Sequence, residues 1–179
     1  MNELNIKNRL VTMLLDHAIM TIIIFLLEVP AMVMRIMSLT HSKVPLPDAF
    51  LRFSLYDVII FSLYFNKDIF LGQSIGKRIL GFRVFNNKTG EPAGPLRCLV
   101  RNFTLLLWPV EVVAALVDKE RRIGDYIAGT RLGVYDSGVQ ARPNWIAMVA
   151  CFPVAMCFTY AAWFYPIDLL MKTLLAQQG

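Results

Sequence analysis

Arg9 and Asp16 are the first residues in this chain whose types and spacing could do chemistry. They stand seven apart in a stretch that is otherwise apolar as far as Leu27, so in a helix both fall on one face. An aspartate at that depth is costly unless it is paired, protonated or open to a polar cavity. Two kinds of chemistry follow: a proton or cation site, or an ion pair pinning this helix to another element. Helical rise separates Arg9 from Asp16 by about 10 Å. The partner of Asp16 is therefore expected from the loops, in Arg101, Arg121 or Arg122. Asp57 and Glu111 are further carboxylates at membrane depth, each expected to be protonated or solvated near an edge.

A second stretch, "GQSIGKRILGFRVFNNKTGEPAG" from Gly72, brings glycines and a Lys-Arg pair together. A phosphate loop needs four residues between its glycines and a Ser or Thr after its lysine. Here three residues separate Gly72 from Gly76, and Arg78 follows Lys77, so no phosphate loop is written. Gly72, Gly76 and Gly81 are expected where a helix ends and backbone packs closely. Lys77, Arg78 and Arg83 are expected at the anionic cytoplasmic leaflet, each adding about 1 kcal/mol of attraction. His17 points away from Asp16 and is expected in helix packing; His41 is expected in an external loop. Cys98, Cys151 and Cys157 have no histidine placed to complete a metal site and no disulfide pattern. No nucleophile–base pair is spelled out either, so neither enzyme, metal nor cofactor is expected.

The elements that must position these residues are membrane helices. The chain has 179 residues, 56% of them hydrophobic and only 17% charged, with mean hydropathy +0.53. Trp145 to Tyr165 runs 21 residues without a formal charge, bounded by aromatic rings suited to the two interfaces. The first helix starts near Asn8 or Arg9 and ends or kinks at Glu28 and Pro30. Asp16 interrupts it and no cleavage site follows, so it is read as a retained span rather than a signal peptide. After a Pro- and Ser-bearing loop in which Asp48 is a candidate cap, Phe53–Phe65 supplies a mostly apolar stretch of 13 residues, Asp57 among them, for a second span. "KRILGFRVF" and "NNKTGE" read as a strand and turn, and "TRLGVYD" as a strand that can pair with it. Asn102–Val117 is broken by Pro109. Ile167, Leu170, Met171, Leu174 and Leu175 share one face of a tail helix expected to lie in the interface. No internal repeat is apparent.

Charge decides the topology. With a cytoplasmic N-terminus and Asn102–Val117 crossing, 10 basic residues lie inside and 8 outside; if that segment dips in and returns, the split is 14 to 4. The expected fold is an all-α integral membrane protein, a small bundle of three spans plus one re-entrant or interfacial segment. A short β-turn collar sits on the cytoplasmic side, and the C-terminus outside. The net charge of +5 then reflects basic cytoplasmic loops facing the bilayer and its anionic head groups, not nucleic acid.

Arg9 and Asp16, "GQSIGKRILGFRVFNNKTGEP", "RN" at Arg101 and "RRIGDYIAGTRLGVYD" together resemble the RDD family of membrane proteins over residues 5–136. The resemblance places the family's arginine at Arg9 and its two aspartates at Asp16 and Asp125, the latter ahead of Ala128, Gly129 and Thr130. Two positions depart from the family pattern: Gly124 stands where histidine is frequent, and Ser74 where threonine is usual. The resemblance implies a multi-pass protein of the bacterial cytoplasmic (inner) membrane, one domain over residues 1–179. Arg9, Asp16, Asp125 and Arg101 would form a charge site, and Gly72, Gln73, Ser74, Gly76, Lys77, Arg78, Gly129 and Thr130 a cytoplasmic collar. It also implies transport of small ligands, including cations exchanged for protons. Three spans enclose little space, so such a transporter would be a homo-oligomer. The other reading is a non-catalytic subunit that scaffolds or regulates a larger membrane complex.

Overall fold

The computed structural model describes residues 5–42, 55–118, 120–135 and 142–176. Helix α1 (Ile6–Ser42) runs 37 residues and continues past Pro30, so it does not end at Glu28. A proline removes one hydrogen bond from a helix, and in lipid the remaining backbone groups still have no better partner than the helix itself. The hydroxyl of Tyr56 donates to the carbonyl of Leu27, 2.5 Å away, in the turn that Pro30 disturbs. His41, expected in a loop, lies in the last turn of α1. Asp48 lies outside the described residues.

Helix α2 (Leu55–Asn66) is followed by α3 (Ile75–Leu80), a short helix the sequence reading took for strand. Ser74 caps it, accepting from the backbone N–H of Lys77. Gly81, at φ 71°, ends it in the left-handed conformation that glycine adopts without penalty. Strand β1 (Phe82–Asn86) follows, then α4 (Pro95–Phe103), a 3-10 turn (Thr104–Leu107) and α5 (Trp108–Val117). Helix α6 (Ile123–Ala128) ends at Gly129, φ 64°, and leads into β2 (Thr130–Val134). The strands pair antiparallel, Phe82 opposite Val134 and Asn86 opposite Thr130, as the two stretches of strand character predicted. Helix α7 (Trp145–Thr159) continues through a π-helical turn (Tyr160–Phe164) into α8 (Tyr165–Ala176). The tail is helical as expected, yet it extends the preceding helix without a loop.

An internal repeat, not recognised in the sequence, becomes visible. "IGKRILGFR" over 75–83 and "IGDYIAGTR" over 123–131 each fold as a six-residue helix, a left-handed glycine and the start of a strand. Among the described residues three helical stretches are long and apolar enough to cross a membrane, Ile6–Met37, Pro95–Val117 and Trp145–Ile167; Leu55–Asn66 is shorter. Their outward faces carry exposed apolar side chains such as Ile22, Phe25, Val113 and Val149, which suits lipid as surroundings. Two small cores hold the polypeptide together. Phe82, Val84, Ala93, Cys98 and Leu132 bind the sheet to α4, while Phe65, Leu99, Cys151 and Ala155 join α2, α4 and α7. Phe103 stacks on Phe158 at 3.9 Å between ring centres, and both pack on the second core.

Candidate functional site: a buried chain of ion pairs

Between α1 and the sheet lies a run of charged side chains almost wholly removed from solvent. It begins at Asp16. Ser74 donates to its Oδ1 at 2.5 Å, and the Lys77 ammonium pairs with its Oδ2. Lys77 also reaches Asp68 Oδ1 at 2.8 Å. Arg101 takes the other oxygen of Asp68 at 2.8 Å and, through Nε, Asp125 Oδ1 at 2.5 Å. Arg9 meets Asp125 Oδ2 at 3.4 Å. Beyond it Arg122 stands 3.5 Å from Glu111 and bonds Asn102 Oδ1 at 3.0 Å.

Local structure sets each of these positions. Asp125 sits in the first turn of α6 and accepts the Arg122 backbone N–H at 3.2 Å, as a carboxylate at a helix start does. Thr130, just past Gly129, donates to the same carboxylate at 2.7 Å. Gly76 and Gly124 open the two repeated helices, and neither leaves room for a side chain. A Cβ at Gly76 would run into Asp16 Oδ1, and one at Gly124 into the Arg101 carbonyl and Thr104 Oγ1. A histidine at position 124 would need a different packing of α6 on α4. Gly72, at φ 69°, lies under Val84, whose carbonyl would be 2.6 Å from an added Cβ.

The electrostatics follow from burial working against neighbouring charge. Burial alone would raise the Asp125 carboxyl; Arg101 and Arg122 beside it hold it down at about 2. Asp68 is likewise enclosed, yet Lys77 and Arg101 keep it well below the usual carboxylate range. Lys67 moves the other way: burial, with Lys77 nearby, pulls its ammonium down to about 7.

Several expectations need correcting. Asp16 pairs with Lys77, not with Arg101, Arg121 or Arg122. Lys77 and Arg83, expected among lipid head groups, are buried. Arg83 lies over the Tyr135 ring at 4.4 Å and donates to Gln73 Oε1 at 3.2 Å, and Gln73 in turn donates to the Phe82 carbonyl at 2.9 Å. Arg78 alone of the three is exposed, above the Phe70 ring at 4.8 Å. Arg9 and Asp16 do share a face, but Arg9 serves Asp125. Glu111 is neither solvated nor at an edge: it accepts the Gly124 N–H at 2.9 Å and faces Arg122. His17 is a packing residue, its Nδ1 2.6 Å from the Tyr64 hydroxyl and its ring beside Trp108. Asp68 and Asn102 join the set without having been proposed for it; Arg122 was expected as a partner of Asp16, and Glu111 near an edge. The cost argument applied to Asp16 applies equally to Glu111 in its apolar run and calls for a partner there too.

A mostly helical membrane protein with an arginine–aspartate chain between its first helix and a two-stranded cap is what this geometry defines. The chain belongs to the RDD family, whose model matches residues 5–165 and so takes in α7 as well. No curated protein and no solved structure matches it.

Proposed function

We propose that the buried ion-pair chain is a lock fastening α1 to the cap, and that the protein is a non-catalytic membrane subunit that scaffolds or regulates a larger complex. One observation carries this reading. Asp16, Asp68, Asp125 and Glu111 each already have a lysine or arginine within 3.5 Å. A metal cation entering there would meet more positive charge than free oxygen, and releasing a carboxylate for it would strand a buried ammonium or guanidinium. The other reading, proton-coupled transport of a cation or small ligand by a homo-oligomer, draws on a cavity of about 550 Å³ at membrane depth. That cavity reaches His17, next to Asp16 in sequence.

Purified protein in correctly oriented proteoliposomes separates the two. The lock predicts no cation-dependent proton flux between about pH 6 and 9, the range a raised carboxylate can reach. It also predicts a higher-mass complex when the protein is drawn from its own membrane in mild detergent. Flux driven by Na⁺, Li⁺ or K⁺ and abolished in Asp16→Asn would sink the lock reading.

The topology belongs to the same proposal: N-terminus and cap in the cytoplasm of a bacterial inner-membrane protein, with Asn102–Val117 dipping in and returning. Contacts at both ends of that segment support the dip. Arg101 and Asn102 bond to Asp125 and Arg122, while Asp118, one residue past its end, accepts from the Tyr126 hydroxyl at 2.8 Å. Both ends thus touch α6, a helix only about 9 Å long by its rise, whereas a crossing needs about 30 Å. In a Cys157→Ser background, cysteines at Asn87 and Ser137 are expected to react with an impermeant reagent from the cytoplasmic side only. One at Gln178 is expected to react from outside. Labelling of positions 87 and 137 from opposite sides would mean that the segment crosses.

A further inference from the structure

A second, much smaller cavity, about 20 Å³, sits within the charged chain itself. Arg9, Lys67, Lys77, Arg101 and Arg122 line it, and Asp16 is the single carboxylate among its lining residues. Among the described residues four of these five cations are ion-paired to Asp16, Asp68, Asp125 or Glu111, and one is not. That one is Lys67, which is half-buried. Among the described residues it makes no ion pair, and its ammonium rests instead over the Tyr64 ring at 4.6 Å. Unused donors accompany it: Nε and Nη1 of Arg9 are buried without a hydrogen-bond partner, and Nε of Arg122 has only the 3.5 Å ion pair with Glu111. Uncompensated charge and unpaired donors at such depth are what proteins avoid, and a bound anion answers both.

We infer that this cavity is a halide site, holding one chloride ion among Arg9, Lys67 and Arg122. Its volume admits a body of roughly water size, which excludes phosphate, sulfate and carboxylate-bearing metabolites. Water would satisfy the guanidinium donors, but it would leave the unpaired charge of Lys67 in place.

Trp108 also lines the cavity and supplies an optical probe. With Trp145→Phe and Trp163→Phe, it is the one tryptophan left of three. Bromide quenches indole fluorescence on contact. Titrating sodium bromide against sodium gluconate at fixed ionic strength is expected to give saturable quenching that chloride reverses. In Lys67→Met, which removes the unpaired charge and breaks no ion pair, the saturable part is expected to vanish. In parallel, the thermal midpoint of the unsubstituted protein is expected to rise in chloride over gluconate, and that of Lys67→Met to stay put. Quenching that is linear in bromide and indifferent to chloride would show a cavity holding water only and would overturn the assignment. So would a chloride-induced rise of equal size in Lys67→Met. The competition in the protein that keeps Lys67 decides the matter even if the variant fails to fold.

Discussion

Asp125→Asn is expected to destabilise the protein by about 3–5 kcal/mol, the cost of leaving buried charges without their partner. Arg9 has no other carboxylate within ion-pair distance among the described residues, and Arg101 would keep only Asp68. The Thr130 hydroxyl and the Arg122 N–H would lose charge-assisted bonds to the same group. Asp16→Asn should be milder, about 1–3 kcal/mol, because Lys77 retains Asp68 and an amide oxygen still accepts from Ser74. Thermal unfolding can be followed by the reactivity of Cys98 and Cys151, both buried, in a background where the exposed Cys157 is replaced. Equal losses for the two variants would show that the chain of pairs does not converge on Asp125. Acid provides an independent check. The Asp125 carboxyl lies at about 2 against an ordinary 3.8, so its contribution is complete above pH 4 and is lost as pH falls through 2.

The second large effect is expected at Gly76. An alanine there directs its methyl onto Asp16 Oδ1 and crowds the Asp16 backbone N at 3.1 Å, so α3 must move off α1 or Asp16 must leave Ser74 and Lys77. Overpacking of this kind costs about 1–3 kcal/mol, and the broken bonds to Asp16 add to it. Gly94→Ala is the control: its φ of −68° suits any residue, and an added Cβ meets nothing within 4 Å. The same thiol-exposure melt should show Gly76→Ala falling by several degrees or failing to accumulate, with Gly94→Ala close to the parent. A Gly76→Ala variant that melts with the parent would mean that the α1–α3 seam is looser than described.

Much of the architecture was legible because it rests on local properties. Apolar length marks α1 and α7 as membrane helices whatever surrounds them. The helical period put Arg9 and Asp16 on one face, and both are indeed buried. β-Branched and aromatic residues around Gly81 and after Gly129 marked two strands, and the antiparallel pair is there. Helix α3 was misread because six residues are too few to show a helical period, and "RIL" suits a strand as well. Pro30 marks a stop or a kink in the sequence because proline breaks a helix in water, where the backbone has water to turn to; of the two, the stop does not occur.

Sequence by itself determined that Asp16 needed a partner, since an isolated carboxylate at that depth is too costly. Only the tertiary structure decided which partner. The bond from Lys77 to Asp16 spans 61 positions, Arg101 to Asp68 spans 33, and Arg9 to Asp125 spans 116. Arg101, Arg121, Arg122 and Lys77 carry the same charge. What separates them is where their elements pack, and here two glycines decide. Gly76 lets α3 close on α1 until Lys77 reaches Asp16, and Gly124 lets α6 close on α4 until Asp125 reaches Arg101. Close approach of backbones is a property of two elements at once, and neither one spells it out alone.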